Sequence, residues 1–123
     1  MNRQIVVAMI ALLCYGATLA EEHSPNRSLA DMSNDERIEI MRLATLYDSC
    51  VYTEAMTASA NYSDIRHAAD FALGQCHTTL MELEAGISTM GFELTYARAF
   101  SNRTRNRAAR KIMPELAVRR GGG

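Results

Sequence analysis

Two cysteines, Cys50 and Cys76, constrain the folding of this 123-residue chain more than any other feature. They are the only cysteines beyond the first twenty residues, and each sits inside a helical pattern. Around Cys50, the residues Ile40, Leu43, Ala44, Tyr47, Val51, Ala55 and Ala58 recur at three- and four-residue steps, one apolar stripe of an α-helix. Around Cys76 a second stripe runs through Ile65, Ala69, Ala72, Leu73, Leu80, Leu83, Ile87 and Met90. Ser33 or Asn34 caps the first helix, with Asp35 and Glu36 in the first turn, where the helix dipole favours acids. The pattern breaks at Asn61-Tyr62-Ser63, and Ser63 or Asp64 caps the second helix. Gly91 stands where a left-handed residue ends it.

The mean of positions 50 and 76 falls on this break. Each cysteine is thus about 13 residues, or roughly 20 Å, along its helix from the bend. Both lie on the apolar stripes, so an antiparallel hairpin brings them to one height, facing each other. The pair reads as a structural disulfide, worth roughly 3–4 kcal/mol in the chain-entropy model. A redox-active pair is usually close in sequence, near a helix N-terminus that lowers one thiol's pKa. A zinc site needs about four ligands, and no histidine shares the stripe.

The N-terminus agrees with a disulfide-permissive compartment. Residues 1–20 carry Arg3, an apolar run from Ile5 to about Tyr15, and small residues at Thr18 and Ala20, the layout of a secretory signal peptide. The run is shorter than the roughly 20 residues of a spanning helix, although an uncleaved anchor is the competing reading. Leu13 before Cys14 argues against lipidation. Cleavage after Ala20 leaves 103 residues, one domain's worth. Residues 21–33 are polar, contain Pro25, lack periodicity and read as a flexible leader.

A third helix is expected from about Glu93 to Met113, with Leu94, Ala97 and Phe100 available for packing. Residues 101–111 hold no large apolar side chain, so its second half should pack weakly. Pro114 should end or kink it, leaving 114–123 as a basic, glycine-ending tail. A secondary stripe on helix two, His67, Phe71, Gly74, Thr78, Met81 and Ala85, offers a docking face for helix three, with Gly74 permitting close approach. Failing that, the Phe71/Met81 stripe is a homodimer or partner surface. The expected fold is all-α: a disulfide-linked antiparallel helical hairpin plus a third helix, a small three-helix bundle over residues 34–113.

Charge is strongly divided. Residues 21–97 carry four Lys or Arg against thirteen Asp or Glu, whereas residues 98–123 carry eight against one. Either the basic segment lies over the acidic hairpin, or it is an arm for an anionic partner. The candidate binding residues are Arg98, Arg103, Arg105, Arg107, Arg110 and Lys111. An anionic lipid, lipopolysaccharide, another polyanion or an acidic protein fits such an arm. Nucleic acid fits poorly, because residues 101–123 contain no aromatic side chain for base stacking.

Chemistry-bearing motifs are thin. His23 is in the leader, and His67 reads as a partly buried packing residue or the partner of an acid. Asp70, His77 and Glu84 recur every seven residues, about 10.5 Å of helix, too far apart for one metal or one proton relay. The methionines are scattered, and Met41, Met56 and Met90 read as core or near-core fillers. Three N-x-S/T sequons, at Asn26, Asn61 and Asn102, read as incidental. No catalytic residue, metal site or cofactor is expected.

The spacing Cys50-x25-Cys76, the ADFAL run at 69–73 and the basic third helix resemble a loose class of small exported bacterial proteins with one cysteine in each of two long helices. The resemblance spans most of residues 34–112. It implies a helical fold and an exported, periplasmic or secreted, location, and no catalytic residues. The expected function is therefore binding without catalysis, to an anionic surface or acidic partner through the basic C-terminal segment. The alternative is a small inhibitor or immunity-type protein that engages one enzyme through the acidic hairpin. A third reading, an enzyme or carrier using His67 and His77, needs a deep pocket.

Overall fold

The computed structural model describes residues 27–122. The expected signal peptide at 1–20, the leader residues 21–26, Cys14, His23 and Asn26 of the first sequon lie outside the described residues. The chain that follows is all-helical: a 3₁₀ turn at Leu29–Asp31, then α1 (Asn34–Ala58), α2 (Ile65–Gln75), α3 (His77–Thr89) and α4 (Leu94–Gly121). Three arms result, because α2 and α3 follow one another as a single interrupted arm packed on both α1 and α4.

The expected caps are present. The Ser33 hydroxyl accepts from the Glu36 amide, and the Glu36 carboxylate accepts from the Ser33 amide, a capping box. The Asp64 side chain accepts from the Arg66 amide at the start of α2. Gly91 adopts φ 92°, a conformation that costs a side-chain-bearing residue, and so turns the chain out of α3.

Cys50 and Cys76 form a disulfide with Cα atoms 5.9 Å apart, joining the two arms as their stripes require. Farther along, a Cβ placed on Gly86 would come within 2.7 Å of Leu43 Cδ1. Residue 43 thus faces 86 while 50 faces 76, so α1 and the α2–α3 arm are antiparallel. α4 returns parallel to α1: Lys111 reaches Asp48, and Arg120 donates to the Tyr62 carbonyl at 2.9 Å. The core is built from both stripes, with Tyr47, Val51, Ala55, Ala72, Cys76, Leu83 and Ile87 sealed from solvent or nearly so.

Four expectations need correction. The second helix is interrupted at Cys76, whose φ −92° and ψ 9° lie between helical and extended geometry. Gly74 just before it and Thr78-Thr79 just after it are weak helix formers. The polar segment before α1 is not loose from residue 27 onward. The Arg27 guanidinium holds Glu36, donates to the carbonyls of Met90 and Asp31 at 2.9 Å each, and lies 4.8 Å over the Phe92 ring. It therefore pins the chain to the α3–α4 corner.

The third helix does not stop near Met113 and is not weakly packed. It runs to Gly121 with Pro114 inside it. It buries Ala97, Ser101, Thr104, Ala108, Ile112 and Leu116, one line at four- and three-residue steps. Its members Ser101, Thr104 and Ala108 sit level with Ala44 and the bulky, fully buried Tyr47 of α1, between the depression lined by Met41 and Phe100 and the Asp48–Lys111 ion pair. Small against large fills the interface without large apolar residues on α4. Finally, the stripe His67, Phe71, Gly74, Thr78, Met81, Ala85 does not receive this helix. All six residues are exposed, and nothing lies within 4 Å of a Cβ placed on Gly74.

Candidate functional site

α4 is the basic element, and its rotation decides which of its cations face outward. The buried line from Ala97 to Leu116 fixes that rotation. Arg103, Arg107 and Arg110 then fall on the opposite side, at steps of four and three residues, in one row along the helix. All three are exposed, and among the described residues no hydrogen bond or ion pair engages them.

The other basic residues of α4 are turned elsewhere. Arg98 faces α3, with Nε 3.7 Å from Glu84 Oε1, and the Ser101 hydroxyl bonds the other oxygen of Glu84 at 3.3 Å. Arg105, seven residues on, shares with Arg98 and Glu84 a shallow depression lined also by His77, Leu80 and Met81. Lys111 faces α1, with Nζ 3.4 Å from Asp48 Oδ2. The six candidates therefore divide: three form a free row, Arg98 and Lys111 are each tied to an acid of a neighbouring helix, and Arg105 lines the α3 side. Among the described residues, the basic helix thus pairs only two of its cations with acids of the hairpin, and both pairs are long and solvent-exposed on the basic side.

The arginine row continues toward the N-terminus of α4 as Tyr96 and Phe100, again at four- and three-residue steps. Both aromatic rings, 6.1 Å apart, are half-buried. With Leu29, Met32, Arg37, Ile40 and Met41 they line a largely apolar depression of about 270 Å³ between α1 and α4. Met41 is half exposed here, not the core filler its sequence setting implied. Periodicity alone carries the signal for Tyr96, since the steps 96, 100, 103, 107, 110 are all helical.

Farther along the same α1–α4 seam is a second depression of about 500 Å³, lined by Asp48, Ser49, Tyr52, Lys111, Ile112 and Glu115 among others. Asp48 Oδ1 and the neighbouring Tyr47 hydroxyl are buried without a hydrogen-bond partner. Burial raises the Tyr47 phenol's pKa, nearby Arg105 opposes that shift, and Asp48 adds to it.

His67 and His77 are exposed; His67 meets the edge of the Tyr62 ring at 6.5 Å rather than a buried neighbour. Among the described residues there is no group of three or more His, Cys, Asp or Glu arranged to hold a metal ion. No described helix is long and apolar enough to cross a membrane. Comparison of the chain with protein-family models, with curated proteins and with solved structures found no match.

Proposed function

We propose that the protein is an exported, non-enzymatic helical interaction protein that binds an anionic surface or an acidic partner through α4. The observation that carries this reading is the exposed row Arg103, Arg107, Arg110, to which no acid among the described residues is brought. Because the three residues are exposed, their guanidinium groups stay hydrated in the free protein and bear no folding cost. Arginine presents a planar fork that takes carboxylate, sulfate or phosphate oxygens in pairs. The row stands on a continuous helix fixed by its buried line, so its spacing is set before binding.

Export rests on the signal-like residues 1–20 and on the disulfide, which persists in oxidising compartments. The test is retention of the oxidised protein on an immobilised polyanion, together with sedimentation with anionic and neutral vesicles at low and high salt. Salt-reversible binding to an anionic phase, lost in the variant Arg103→Gln/Arg107→Gln/Arg110→Gln, supports the reading. No binding, or binding that the triple variant keeps, overturns it.

A further inference from the structure

The row of arginines does not stand alone, and its surroundings identify the kind of partner. Tyr96 and Phe100 continue the same line of α4 and form one wall of a largely apolar depression whose other walls come from Leu29, Met32, Ile40 and Met41, with Arg37 the one charged residue among them. Leu29 and Met41 are each about half exposed, at 50% and 51%. From Tyr96 to Arg110 the line is about 21 Å long at 1.5 Å per residue. It therefore offers apolar anchoring at one end and cations along the rest.

We infer that this line is the docking groove for an acidic amphipathic helix of a partner protein, laid along α4 with apolar side chains in the Met41–Phe100 depression and carboxylates on Arg103, Arg107 and Arg110. The inference rests on the proposed anion-binding role and adds the partner's class to it. Helix-in-groove recognition needs an apolar slot and flanking charge of the opposite sign to the partner, and both are contiguous here. The depression, at about 270 Å³, is smaller than the roughly 300–1,000 Å³ sites that enclose a whole small ligand. It suits side-chain anchors. A membrane surface fits less well: an interfacial helix needs large apolar residues along its length. Between Arg103 and Arg110 the outward face of α4 has only Asn106 and Arg107 besides those two arginines.

Two synthetic helical peptides of one composition provide the test. One carries two leucines a turn apart at one end and glutamates at i, i+4 and i+7 beyond them; in the other the same residues are shuffled so that no face forms. Affinity is measured for the oxidised protein, for Leu29→Gln/Met41→Gln and for the triple arginine variant. Both glutamine variants replace exposed side chains, and helical content and melting of each are recorded alongside. The expected result is at least tenfold tighter binding of the patterned peptide. Leu29→Gln/Met41→Gln should lose that advantage while retention on the polyanion is unchanged, and the triple arginine variant should lose both.

Equal binding of the two peptides, or an advantage that survives Leu29→Gln/Met41→Gln, overturns the docking groove and leaves the anion-binding role standing. Binding to phosphatidylglycerol vesicles without binding to the patterned peptide assigns the face to lipid and also overturns it. Self-association of the protein through this face, seen as a mass that falls in Leu29→Gln/Met41→Gln, replaces the partner helix with a second copy and overturns it too. Failure to bind polyanion, vesicles and both peptides removes the anion-binding role and the groove together.

Discussion

At the scale of single residues, Tyr47 and Glu36 show opposite ways of treating a polar group. Tyr47 is fully buried, yet its hydroxyl has no partner, and burial raises its pKa. Its ring fills the space left by the small residues of α4, while its hydroxyl adds an unsatisfied donor. Tyr47→Phe keeps the ring and removes that group, so stability should rise by about 1 kcal/mol in denaturant unfolding. A loss of similar size would mean that the hydroxyl is bonded in solution. Glu36 is fully used. Its hydrogen bond from Arg27, followed by that from the Ser33 amide, holds its carboxyl at about 2. The folded value is lower than the ordinary carboxylate value of about 4.3. Its contribution to stability is therefore intact above that value and is lost as pH falls through about 2. Glu36→Gln should flatten the acid limb of the stability curve between about pH 5 and pH 2. An unchanged slope would contradict the assignment. The Arg27 anchor itself was not legible in sequence, because a lone arginine in a polar, proline-containing stretch gives no periodic signal.

At the scale of elements, α4 teaches the most. Its length was hidden by Pro114, which lacks an amide to give to the Arg110 carbonyl. Pro114 and Arg110 are both on the exposed side of the helix, and Leu116, 1% exposed, holds the next turn against the core. The proline is a cost that packing overrides rather than a stop. Pro114→Ala should accordingly stabilise the protein by about 1–3 kcal/mol and raise its helical circular dichroism. A destabilised variant would show that the proline is needed where it stands. The burial of Ser101, Thr104 and Ala108 was equally hard to read, since small and polar residues mark a solvated face in most helices. Only the bulky, buried Tyr47 at their level on α1 reveals their role. The stripes of α1 and of the α2–α3 arm were legible from their periodicity, and so was the disulfide joining them. The interruption at Cys76 was not, because the apolar steps from Leu73 through Cys76 to Leu80 run across it unbroken.

At the scale of the molecule, the division of charge was plain in the sequence, but its consequence depended on how α4 is rotated. A rotation placing Arg103, Arg107 and Arg110 against the hairpin would have made the protein self-complementary. The buried line from Ala97 to Leu116 sets the opposite rotation and leaves those arginines outside. The central claim is thus that the row is surplus to folding and reserved for a partner. The measurement that tests it most directly is the unfolding free energy of Arg103→Gln/Arg107→Gln/Arg110→Gln against the parent protein at low salt. The two should agree within about 0.5 kcal/mol, as exposed, unpaired positions do. A loss of more than about 2 kcal/mol, which added salt reproduces in the parent protein, would show that the row is engaged in holding the bundle together.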